Sequence, residues 1–172
     1  MKLLLQLNLL LVLLSPVALR SQQITQPDSL LNKMTGKWVL RGTIAGQETT
    51  HDIDAKRVLD GQYVQLQEVS REKDKKGNPL YQAVVYLCWQ QDKKQYFCLW
   101  LDNTSNQGIS NQVIGTANQN GNKIEMLFKF SDVTQFHTTF SYDSSADTWQ
   151  WIMDGEENGK LQPFARVKLT KS

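Results

Sequence analysis

His51 and His137 are the two histidines of the chain, the side chains best suited to exchange a proton near neutral pH. His51 sits in Thr49-Thr50-His51-Asp52-Ile53-Asp54-Ala55. Strand alternation there places His51 in one row with Ile53 and Ala55, and Asp52, Asp54 and Lys56 in the other. A histidine on an apolar row is positioned to make a polar contact inside a hydrophobic interior. His137 alternates with Phe136 and Phe140 and is expected on the solvent side. Asp52 and Asp54 read as a solvated outer row.

Little else in the chain has the spacing that chemistry needs. Its Cys, His and carboxylate residues form no metal-binding pattern. It has no glycine loop to cradle phosphate and no Gly-x-Ser-x-Gly elbow. No catalytic constellation emerges, so no enzymatic activity is expected. Arg71-Glu72-Lys73-Asp74-Lys75-Lys76 mixes signs inside a turn, as a solvated loop does. Asn103-Thr104-Ser105 has the form of a glycosylation sequon, which has meaning in a eukaryotic secretory pathway.

The elements that must position His51 are organised around residues 80–102. Two apolar, β-branched and aromatic runs flank a polar break there, a hairpin signal. A turn centred on Lys93 sets Gln91 opposite Gln95. Val85, Leu87 and Trp89 then lie opposite Leu101, Leu99 and Phe97 and make one continuous apolar wall. The other face carries Tyr86 opposite Trp100 and Cys88 opposite Cys98. A slip of one residue would destroy this match, so the pattern selects the register. Directly opposed, Cys88 and Cys98 would stand about 4.5 Å apart at Cα, at the short end of the disulfide range. They form either a cross-strand disulfide in an oxidising compartment or two free thiols.

Further strands are expected at 37–44, 48–58, 63–70, 109–117, 123–130, 135–142, 148–154 and 162–169. Turn chemistry separates them, with Asn120-Gly121 a strong two-residue hairpin signal. Ahead of them, Pro27-Asp28-Ser29 followed by Leu30, Leu31 and Met34 points to a short helix, whose apolar residues can plug a barrel end. Ten short strands joined by tight turns must bury one face each and dispose of their edges, and closure does both. The expected fold is all-β: an up-and-down antiparallel barrel of about ten strands with a short N-terminal helix. A two-layer sandwich is the alternative.

Met1-Lys2, a leucine-rich run over 3–14 and Ser15-Pro16-Val17-Ala18 have the form of a signal peptide. The run is short for a membrane span of about 20 apolar residues, and Gln6 and Asn8 interrupt it. Cleavage after Ala18 or after Ser21 gives a secreted or periplasmic protein. The chain divides into a leader over 1–21, a lead-in with the short helix over 22–35, and a barrel over 36–171. Loss of Lys2 and Arg20 with the leader balances basic and acidic residues in the remainder. A neutral chain has no field to gather nucleic acid or anionic lipid. Neither nucleic acid nor a membrane span after leader removal is expected, and the sequence does not specify an oligomeric state.

Gly36-Lys37-Trp38 opens the first strand just after a short helix, and Arg166 lies in the last strand. This pairing resembles the lipocalin and calycin signature. The resemblance implies that Trp38 sits at the closed end with Arg166 packed over it, the indole face accepting the guanidinium. Residues 57–63, Trp100-Leu101-Asp102 and residues 159–166 are similar to a lipocalin-like family of unknown function, largely bacterial, over about 34–171. That family implies architecture and no reaction. It carries glycine or a small residue more often where Cys88 and Cys98 stand, so it implies no disulfide. Two functions follow as expectations. One is a carrier or sensor for a small apolar ligand, walled by Val85, Leu87, Trp89, Phe97, Leu99 and Leu101 with His51 as its polar contact. The other is a structural or interaction domain filled by its own side chains. No cofactor is expected, although a resemblance to the nitrobindins, also ten-stranded barrels, implies a haem reading with His51 as the iron ligand.

Overall fold

The computed structural model describes residues 26–104 and 108–172. The leader over 1–21, the first residues of the lead-in and Ser105 of the sequon lie outside them. A helix, α1 (Gln26–Met34), precedes ten strands: β1 (Gly36–Ile44), β2 (Gln47–Val58), β3 (Tyr63–Ser70), β4 (Gln82–Gln90), β5 (Gln95–Asp102), β6 (Ile114–Asn120), β7 (Lys123–Lys129), β8 (Thr134–Asp143), β9 (Thr148–Glu157) and β10 (Lys160–Lys171). Each strand pairs antiparallel with its sequence neighbours, and β10 closes on β1. The chain is an all-β, up-and-down, lipocalin-like barrel of ten strands with one short helix. Closure leaves no edge strand in the barrel wall.

The inner face follows from alternation. Trp38 and Leu40, then Ile53 and Ala55, then Ile124, Met126 and Phe128, then Trp149, Trp151 and Met153 are all buried. Gly42 serves the seam that closes the barrel. Its φ is +144°, and a Cβ there would lie 2.2 Å from the Arg166 carbonyl oxygen on β10. Two local expectations shift. A single 3₁₀ turn, Asn111–Val113, occupies part of the expected sixth strand, so β6 begins at Ile114. The loop between β6 and β7 is Gly121-Asn122, because Asn120 still pairs with Lys123. Glycine at a positive φ of 59° in its first position suits a tight hairpin turn.

The register of the β4–β5 hairpin differs by one residue from the expectation. Val85 pairs with Trp100, Leu87 with Cys98, Trp89 with Tyr96 and Gln90 with Gln95. The loop therefore holds four residues, 91–94, and Lys94 closes it at a positive φ of 51°. Both faces of β5 are apolar, so hydrophobicity does not separate the two registers, and the loop geometry decides. Tyr96, Cys98 and Trp100 share the inner side with Val85, Leu87 and Trp89, and Trp89 meets Tyr96 edge-on at 4.9 Å. Phe97, Leu99 and Leu101 turn to the outer side. Cys88 lies opposite Phe97 and not Cys98, so the two cysteines point to opposite faces of the wall as free thiols. Burial pushes the pKa of both thiols up, further for Cys98 than for Cys88.

Helix α1 closes one end. Leu30, Leu31 and Met34 are buried against the core. Its last carbonyls, which a helix cannot satisfy internally, accept from two indoles: Trp38 Nε1 donates to Met34 O at 2.8 Å and Trp149 Nε1 to Lys33 O at 3.3 Å. The expected Trp38–Arg166 clamp does not form. Arg166 lies on the outer side of β10, where it donates to Asp154 Oδ1 at 2.6 Å. Lys171 takes its place. It continues the inner row of Ala165, Val167 and Leu169, stands opposite Trp38, and sets its Nζ 3.6 Å from the Trp38 ring centroid. The same ammonium donates to Thr35 O at 3.2 Å. Gly36 leaves room for it, since a Cβ there would lie 2.9 Å from that nitrogen.

Candidate functional site

Among the described residues, the opposite end is open. A cavity of 490 Å³ enters between the start of β2, the ends of β3 and β5, and the strands β7 to β10 across from them. Its two sides differ chemically. Phe128, Phe130, Phe136, Met153 and Phe164 form an apolar side. Phe136 packs between Phe130 and Phe164 at centroid distances of 6.3 and 5.3 Å. Phe164 sits where the β9–β10 register shifts, between Pro163 and Ala165. Such a bulge re-aims a side chain, here into the mouth. Proline suits the position because it has no N–H to give the ladder.

The facing side is polar and connected. His51 is 3% exposed and Glu68 also 3%, at the floor of the cavity. His51 Nδ1 and Glu68 Oε1 share a hydrogen bond of 2.5 Å. His51 Nε2 lies 2.8 Å from Thr49 Oγ1. Thr49 Oγ1 donates its proton to Glu72 Oε2 at 2.9 Å, and Thr50 N–H donates to Glu72 Oε1 at 3.0 Å. A hydroxyl has one proton to give, so Thr49 must accept from His51, and Nε2 is the donor. Burial works against ionisation of Glu72. Hydrogen bonds from its own backbone N–H, the Thr49 hydroxyl and the Thr50 N–H outweigh it and hold the carboxyl below its ordinary range. That agrees with Glu72 acting as the final acceptor of the relay.

Tyr81 covers this relay, its ring stacked on His51 at 5.5 Å and 22°. Trp100 Nε1 donates to the Tyr81 hydroxyl at 2.9 Å. Burial, with the charge of Glu68 added, pushes the Tyr81 pKa strongly upward, so it stays a phenol. Ser70 fixes the corner: its hydroxyl donates to Glu72 O and accepts from Tyr81 N–H, both at 3.0 Å. Outside, Arg71 grips Asp52 with two hydrogen bonds of 2.9 and 2.6 Å, which anchors the segment that carries Glu72.

Thr49, His51 and Glu68 are strung in the order hydroxyl, imidazole, carboxylate, as in a nucleophilic triad. The protons run the wrong way for that chemistry. Nε2 donates to Thr49 and cannot also take its proton, while Glu72 already holds it. The haem reading meets the same obstacle, because both ring nitrogens are engaged and none offers a lone pair to iron. The residues present do not fit that group. Among the described residues, no cluster of three or more His, Cys, Asp or Glu side chains is arranged to hold a metal ion.

Of the residues expected to wall a ligand, His51 lines the cavity. Val85 and Leu87 are buried in the core away from it, Trp89 lies near the closed end, and Phe97, Leu99 and Leu101 face outward. His137 is on the outer side, bonded to Glu156 at 2.5 Å. The residues that sequence reasoning passed over are Glu68, Glu72, Tyr81 and Thr138. Glu68 had a signal: it continues the row of Val64 and Leu66, directly opposite Ile53, one step from His51. Glu72 gave none, since it reads as one charge in a mixed-sign turn. A scan with protein-family models and a search of curated proteins both find no match for this chain.

Proposed function

We propose that this barrel is a carrier or sensor that takes a small, largely apolar ligand at its open end, with the ligand's polar group turned toward the His51–Glu68 relay. The observation that carries this reading is the cavity itself. Its 490 Å³ falls in the range of about 300–1,000 Å³ usual for small-molecule sites. It joins an aromatic side to a few convergent polar groups, the common make-up of such sites. The filled interior describes the other half of the barrel, where Trp38, Trp149, Trp151 and Tyr96 are fully buried. Export by the leader over 1–21 belongs to the same proposal, and sequencing of the exported protein is expected to start between Leu19 and Gln23.

Titration with Nile red, a neutral polarity-sensitive dye, tests the reading. Saturable uptake is expected. Val113→Trp, which narrows the mouth, should weaken it at least about tenfold, whereas Leu99→Trp on the outer wall should leave it unchanged. Uptake that is absent, or equal in the wild type and Val113→Trp, would overturn the proposal.

A further inference from the structure

We infer that the ligand of this cavity is an organic cation, a protonated amine carried on an aromatic or aliphatic body. This rests on the carrier reading above and names the chemistry of its ligand. Four carboxylates line the cavity: Glu48, Glu68, Glu72 and Asp102. Among its described lining residues there is no lysine or arginine. His51 is the one basic group, and Glu68 already holds it. Even a protonated His51 leaves the cavity negative, although basic and acidic residues nearly balance over the whole chain. The charge is therefore local and directed at whatever enters.

A second observation concerns the neutral acceptor that faces the cavity. Thr138 lines it and is 1% exposed. Its Cα partners are Met126 and Met153, both on the inner face. Its hydroxyl opens on the cavity and offers an oxygen that can accept from an N–H donor there.

An ammonium suits these groups, since it donates to carboxylate and hydroxyl oxygens alike. Ionised carboxylates have about four lone-pair sites each, so Glu72 can accept from a ligand while still holding Thr49 and Thr50. The faces of Tyr81, Trp100, Phe128 and Phe136 attract a cation as well as an apolar body. A carboxylate ligand would be desolvated among like charges with no cationic side chain beside it. A neutral alcohol would gain nothing from the field.

Three compounds with one indole body separate these cases by calorimetry: tryptamine, tryptophol and indolepropionate. Tryptamine should bind at least about tenfold more tightly than tryptophol, and indolepropionate most weakly. The preference for tryptamine should shrink several-fold in Glu72→Gln, which keeps an acceptor oxygen and removes the charge. Asp102→Asn at the rim carries the same test should Glu72→Gln lose its fold by circular dichroism. Equal or tighter binding of tryptophol or indolepropionate would overturn the inference, as would a preference that survives both substitutions. Nile red uptake with no binding of any indole compound refutes the amine class and leaves the carrier reading standing. No uptake of dye or indole compound removes both.

Discussion

His51 matters because of what its removal would leave behind. Glu68 is buried with it, and a carboxylate stranded without its partner is far costlier than the pair is beneficial. His51→Ala is therefore expected to destabilise by about 3–5 kcal/mol, measured by urea denaturation. His51→Ala combined with Glu68→Leu should recover much of that loss. Glu72 gives a pH signature. Its folded pKa is depressed by its hydrogen bonds, so its contribution is full above the unfolded carboxyl value of about 4.3 and fades as pH falls through the lower folded value. The stability gap between wild type and Glu72→Gln should thus be constant near neutrality and close on acidification below about pH 4. A gap that widened on acidification would contradict this. At the cysteines, Cys88 should alkylate first, and Cys98, buried with its thiol held protonated, only on unfolding. His51 was legible because it broke an apolar row. Lys171 was as legible in principle, since it extends the row of Val167 and Leu169. The pull of a signature arginine favoured Arg166, which has the opposite phase.

The strands themselves were readable from period-two patterning, because a barrel buries one face of every strand. Most run close to their expected bounds, and the departures in register and bounds have physical causes. The β4–β5 register slipped because Phe97, Leu99 and Leu101 make the outer side of β5 as apolar as the inner side. A four-residue loop then set the pairing. Residues 109–113 were drawn into the sixth strand by composition, yet a 3₁₀ turn lies there, at the edge of the mouth. Glycine at position 42 is a requirement of the seam rather than of any single strand. Gly42→Ala would place a Cβ 2.2 Å from Arg166 O at a φ unsuited to alanine. It should destabilise by about 2 kcal/mol or more in thermal or chemical denaturation. Gly46→Ala, at a positive φ but with open space around it, should cost about 1 kcal/mol. Equal losses at the two sites would mean that the seam tolerates the side chain.

The whole molecule is a barrel with two unlike ends. One is sealed by α1, two indoles and Lys171 over Trp38, and the other opens on a cavity where an aromatic side faces a hydrogen-bonded acidic one. Closure and burial were legible because they follow from the strand pattern. The cavity was not, because its existence depends on which end the inner side chains fail to fill, and alternation is blind to volume. The methionines report on both ends independently. Met34 lies in the seal and Met153 lines the cavity. With the methionine methyl groups labelled for NMR and Nile red titrated in, the Met153 methyl should shift saturably while the Met34 methyl stays in place. An unmoved Met153, or a shift at Met34 as large as that at Met153, would contradict a binding site at the open end of this barrel.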